Sequence, residues 1–154
     1  MKRWIVLALA LPMIAFLGGK GEAGRDVARL QPMEVLAVTM EDDGVRIETD
    51  TGDAGRGANL EAAIDNLKST TSGEIFLDTA EYLLIAGCEP LLPELAAHLR
   101  PSCQVCLVEG EVELESVAQF LKIHQPELTL AEYRGGIRTL KTLKEEKGRF
   151  RFVS

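Results

Sequence analysis

Histidine, cysteine and internal repeats are scarce in this chain, and each scarcity closes off a class of function. Two histidines, His98 and His124, stand far apart in the 154 residues. No Ser or Cys has a histidine placed to form a dyad, and no Gly-x-Ser-x-Gly elbow occurs. Three cysteines are too few for a disulfide-rich scaffold. No internal repeat or low-complexity run appears, and 46% hydrophobic residues rule out a disordered or collagen-like chain. A basic excess is missing as well: 24 acidic side chains outnumber 17 basic ones, for a formal charge of −7. Nucleic-acid binders draw affinity from phosphate contacts and are usually basic, so nucleic acid is not an expected partner.

What is present fits one compact domain, with 46% hydrophobic residues to supply a core. The first segment stands apart from it. Lys2 and Arg3 precede an uncharged run of 14 residues, WIVLALALPMIAFL, and small residues follow. Such a run is short for a helix crossing about 30 Å of hydrocarbon at about 1.5 Å per residue. The pattern is that of a secretory signal or N-terminal anchor over residues 1–23; Gly21-Glu22-Ala23 suits cleavage after Ala23, and cleavage and retention both stay open. Gly18 and Gly19 stand where lipoprotein processing needs a cysteine, so acylation is not expected.

Cys103-Gln-Val-Cys106 has the spacing of a metal or redox pair. It lies in CQVCLV, which reads as a buried strand. An offset of three in a strand sends the two side chains to opposite faces. A Cys88–Cys103 disulfide would have to join the two ends of the helix between them. Buried, inert thiols are the expectation.

The rest of the chain alternates strands and helices. Residues 35–40 and 45–51 flank Asp43-Gly44, a hairpin signal. Residues 53–57 (DAGRG) read as a loop. This loop lacks the Gly-Lys-Ser/Thr ending of a phosphate loop. Asn59 is an N-cap for a helix with Leu60, Ile64 and Leu67 on one face, and Gly73 is its expected left-handed stop. Residues 74–77 are a strand candidate. Residues 82–86 read as a strand buried on both faces. Pro90 and Pro93 fit the first turn of the next helix. Residues 103–108 form another buried strand, and Val112, Val117, Phe120 and Leu121 another helix. The expectation is an α/β fold: a mixed sheet with an N-terminal hairpin, then α-β-α-β-α, with right-handed crossovers.

Charge is unevenly spread. Residues 24–133, the expected α/β domain, hold 7 basic and 21 acidic side chains. Residues 134–154 hold 7 basic and 2 acidic ones. Ile137, Leu140 and Leu143 keep helical spacing there, so a basic C-terminal helix or tail is expected. Its Arg134, Arg138, Lys141, Lys144 and Lys147 suit three contacts: the acidic body of the same domain, an anionic membrane surface, or a partner protein. Among the carboxylates, Glu41, Asp42 and Asp43 crowd one turn, read as a solvated hairpin tip or a weak calcium site. Glu109, Glu111, Glu113 and Glu115 fit a helix N-terminus. No glycosidase pair can be picked from these carboxylates, and neither enzyme activity nor a cofactor is expected. The alternative reading is an extracytoplasmic domain binding a small molecule or calcium.

One set of segments carries a resemblance. An export signal is followed by Arg25-Asp26-Val27-Ala28-Arg29-Leu30 and the hairpin VLAVTMEDDGVRIETD. Next come the helix NLEAAIDNL, the strand closing in IAGCEP, a further helix, and the strand at 103–108. This order, over residues 24–125, resembles the N-terminal domain of the Ger(x)C family, the C subunits of spore germinant receptors. The resemblance implies a non-enzymatic subunit on the outer face of the spore inner membrane, working beside membrane-embedded receptor subunits in germination. Family members are lipoproteins, and this sequence departs from their pattern at Gly18 and Gly19, where the acylation cysteine would stand.

Overall fold

A computed structural model describes residues 32–153. The signal or anchor over 1–23 and the segment Arg25-Asp26-Val27-Ala28-Arg29-Leu30 lie outside the described residues. No helix among the described residues is long and apolar enough to cross a membrane.

The hairpin forms as its turn signal demands. Strand β1 (Val35–Glu41) pairs antiparallel with β2 (Gly44–Thr49), closing on the pair Glu41 and Gly44. Val45, Ile47 and Thr49 are buried and alternate with half-exposed Arg46 and Glu48. Half-buried Asp50 ties the hairpin's open end to the start of β1. Its carboxylate accepts the Glu34 N–H at 3.2 and 3.3 Å and the Val35 N–H at 3.2 Å.

The Gly-rich stretch is not a loop. Ala54–Gly57 forms strand β3, paired antiparallel with β2. Helix α1 (Leu60–Thr70) explains its glycines. A Cβ on Gly55 would lie 2.4 Å from Ala63 O, and one on Gly57 2.4 Å from Ala63 N. The helix backbone therefore sits directly on the strand, and any side chain would push them apart. Asn59 caps α1 by accepting the Ala62 N–H at 2.9 Å, and Leu60, Ala63, Ile64 and Leu67 are buried. Its end differs from the expected glycine stop. The Thr70 and Thr71 hydroxyls donate to Leu67 O, and Thr71 is extended. Residues 74–77 form no named strand, and a 3-10 turn follows at Leu77–Thr79.

Strand β4 (Tyr82–Ala86) leads through a 3-10 turn at Glu89–Leu91 into α2 (Leu92–His98), with Pro90 and Pro93 in these opening turns. Strand β5 (Gln104–Glu109), α3 (Leu114–Ile123) and the short α4 (Leu130–Arg134) follow. The fold is α/β, as expected. Its single mixed sheet has seven strands in the order β3-β2-β1-β4-β5-β6-β7.

The C-terminal basic segment corrects the expectation of a helix or tail. It forms β6 (Thr142–Glu146), parallel to β5, and β7 (Arg149–Val153), antiparallel to β6. Two local features favour this. Lys147 (φ 52°) and Gly148 (φ 74°) both take the left-handed conformation that a two-residue hairpin turn requires. Arg149, Phe150, Arg151 and Phe152 alternate polar and apolar. Leu143 is fully buried by pairing on β5, which outweighs the helical spacing of 137, 140 and 143. The sheet runs on through residue 153, so the structure places no boundary at 133/134.

Each step from β1 to β4 to β5 to β6 moves the same way across the sheet. Right-handed crossovers throughout would place every helix on one face. Helices α1 and α2, with Leu130 of α4, do pack on one face, against Leu36, Val38, Ile47, Leu83, Ile85 and Val105. Helix α3 departs from this. Its Val117, Ala118 and Leu121 cover the opposite face, with Val35, Ala37, Leu84 and Cys106.

Two predictions follow from this packing. Gly57→Ala should lower unfolding free energy by about 1–3 kcal/mol, the usual cost of overpacking; an unchanged urea midpoint would contradict the direct seating of α1 on β3. Asp50→Ala should cost about 1–3 kcal/mol by leaving the Glu34 and Val35 N–H groups unmet. Asp50→Asn keeps an acceptor and should cost less. Burial holds the Asp50 carboxyl above its ordinary pKa, opposed by its bonds from Val35 and Glu34. Wild type should therefore gain stability relative to Asp50→Asn as pH falls through that raised value. A difference independent of pH would contradict the raised pKa of this half-buried carboxyl.

Candidate functional site

The five basic residues singled out from the sequence do not converge. Arg134 ends α4 and donates to Ala96 O on α2. Arg138 lies 4.0 Å from the Tyr133 ring centroid and donates to Tyr133 O at 2.9 Å. Lys141 pairs with Glu127 at 2.5 Å, and Lys144 pairs with Glu109 across the β5–β6 register. Lys147 occupies the exposed tip of the β6–β7 hairpin. Four of the five are thus engaged by their own domain. Lys141 and Lys144 meet carboxylates of the acidic body, whereas Arg134 and Arg138 meet backbone carbonyls.

The cysteines lie as strand geometry requires. Cys103 belongs to the core on the α1–α2 face and Cys106 to the core on the α3 face. All three are free and buried. Burial pushes Cys88 up to about 11, and Cys103 and Cys106 up to about 12. Cys88 Sγ donates to Val38 O at 3.1 Å. Thiols held neutral in this way are poor nucleophiles and poor metal ligands.

The acidic turn is partly neutralised. Glu41 lies 3.5 Å from Arg46 and 3.4 Å from Arg56, while Asp42 and Asp43 are exposed. Among the described residues, no three His, Cys, Asp or Glu side chains are grouped to hold a metal ion. His98 sits in the last turn of α2, 3.2 Å from Glu61 of α1. His124 caps α3 and lies 4.7 Å from the Phe120 ring. The two histidines serve different helix ends.

A cavity of about 240 Å³ lies beside β5. Its cause is a change of partner along one strand edge. Early in β5, Gln104 bridges antiparallel to Thr129, Val105 N–H donates to Leu128 O at 2.8 Å, and Leu130 N–H donates to Cys103 O at 2.9 Å. Later, Leu107 N–H donates to Lys141 O at 2.9 Å and β6 takes over. The two partner segments diverge between Val105 and Leu107 and leave a fork. Val105 and Leu128 are its buried apolar lining; Ile137, half exposed, lies at its rim. Glu127, Glu132, Thr139 and Lys141 supply the polar lining. The Glu127–Lys141 ion pair links the two arms.

Glu132 is fixed by the helix start it serves. Thr129 and Glu132 form a capping box, with Glu132 Oε2 accepting from Thr129 N–H and Oγ1, both at 2.8 Å. These bonds hold the Glu132 carboxyl below its ordinary pKa. It is therefore a fixed negative charge at one arm of the fork. Sequence reasoning singled out Lys141 but passed over Glu127, Glu132 and Val105. Thr-Leu-Ala-Glu at 129–132 carries the legible signature of a capping box. The fork itself depends on strand pairing and has no local signal.

Comparison of the chain with known proteins gives no match to a family model, a curated protein or a solved structure.

Thiol accessibility checks the burial. At mildly alkaline pH the native protein should leave a disulfide reagent unreacted over minutes, and denaturant should release all three thiols. Fast native reaction of any one would contradict the packing of β5 or of the turn after β4.

Proposed function

We propose that this domain is a non-enzymatic, exported, membrane-associated subunit or adaptor that acts through protein–protein contacts in spore germination or sporulation. The observation that supports it is the order of elements in the segments that carry the Ger(x)C resemblance. VLAVTMEDDGVRIETD spans β1 and β2, NLEAAIDNL runs from the N-cap into α1, and IAGCEP leaves β4 for the turn before α2. On this reading its partners are membrane-embedded germinant receptor subunits, and it sits on the outer face of the cytoplasmic (spore inner) membrane.

Internal use of Arg134, Arg138, Lys141 and Lys144 narrows the basic contact. Lys147 at the hairpin tip and Arg149 beside it are exposed and make no side-chain ion pair among the described residues. We place the partner or anionic lipid contact there.

Affinity purification of the tagged chain from gently solubilised spore membranes tests the proposal. A multi-span membrane protein should co-purify, and Lys147→Glu with Arg149→Glu should weaken its recovery while leaving the fold intact by circular dichroism. Recovery of free protein alone would overturn the reading.

A further inference from the structure

We propose that the fork beside β5 binds a small organic cation, a primary ammonium carried on a short branched apolar body. This is independent of the assembly role and rests on the lining of the cavity. Three features set the sign of the ligand. Glu127 and Glu132 are carboxylates on one arm, and Lys141 on the other arm is already paired with Glu127. The lining is therefore one negative charge in excess. The third feature is a backbone acceptor. In a strand, the N–H and C=O of one residue point the same way. Val105 N–H donates toward Leu128, so Val105 C=O also faces the fork, and no backbone donor among the described residues meets it there. An ammonium brings three donors and no acceptor. It can donate to Val105 O and to the carboxylates without displacing the capping bonds on Glu132 Oε2.

The rest of the ligand is set by the floor. Val105 (1% exposed) and Leu128 (5%) are apolar and buried, and Ile137 at the rim is 51% exposed. A branched apolar body would cover Ile137 and exclude water from the floor, which a hydrated metal ion would not do. A volume of about 240 Å³ lies below the about 300–1,000 Å³ of pockets for drug-sized ligands. That admits a ligand of a few carbons beyond its ammonium and little more. An anion of the same shape would face Glu127, Glu132 and the Val105 carbonyl together.

Isopentylamine, 4-methylpentanoate and isopentanol share the body and differ in the head group. Each is titrated into the full chain and followed by amide chemical shifts. The amine should give saturable shifts confined to residues 104–107, 127–132 and 137–141, at millimolar concentration. The carboxylate should give none there, and the alcohol should bind more weakly than the amine. Glu127→Gln, at an exposed position, should weaken the amine by about tenfold or more, as expected for a lost charge-assisted hydrogen bond. Its effect on the alcohol should be small. No saturable shift with the amine at tens of millimolar, shifts scattered over the acidic surface, or equal binding of amine and carboxylate would each overturn the proposal.

Discussion

Two-sided burial of β5 is the constraint on which the C-terminal half of the molecule depends. The strand presents Val105 to one core and Cys106 to the other, and both are almost fully inaccessible. A strand covered on both faces must also satisfy its edges, because unpaired buried backbone groups are costly. One edge is taken by β4 over Gln104–Leu107. The other is shared between 128–130 and β6, since neither segment spans it alone. The burial of Cys103 and Cys106, the fork and the recruitment of the basic segment all follow from this arrangement.

The same arrangement changes the meaning of the charge distribution. The acidic body and basic C-terminal segment are complementary parts of one sheet. Lys144 meets Glu109 across paired strands, and Lys141 meets Glu127 across the fork. Exposed pairs of this kind contribute little stability each, about 0–1 kcal/mol. Their arrangement is compatible with the register set by Leu143 burial rather than the source of it. At the far edge, Arg46 lies between Glu41 and Glu48, with Arg56 beside Glu41. That face of β2 and β3 is polar, in contrast to the opposite face, where α1 lies so close that β3 must carry glycines.

Much of the fold was legible because the signals were local. Asp43-Gly44 marked the hairpin, Asn59 the cap of α1, and the unbroken apolar run at 82–86 a strand buried on both faces. The opposite orientation of Cys103 and Cys106 followed from strand periodicity alone. What was missed depended on distant partners. Gly55 and Gly57 read as loop glycines because nothing nearby shows that Ala62 and Ala63 will press on them. Ile137, Leu140 and Leu143 keep a helical period, yet Leu143 pairs on β5 and the other two lie in the approach to β6. The placement of α3 on the opposite face has no counterpart in its own sequence, which is amphipathic on either side. Of the candidate site, Lys141 was legible as a basic residue. Its neighbours Glu127 and Glu132 were not, because the fork exists only once β5 has exchanged partners.

Native-state hydrogen exchange tests the central claim, that residues 142–153 are integral strands of the sheet. The amides of Leu107 and Leu143 should exchange together, through the same cooperative opening that releases β4 and β5. Rapid exchange throughout 142–153, with β4 and β5 still protected, would contradict it and return the basic segment to a separate tail.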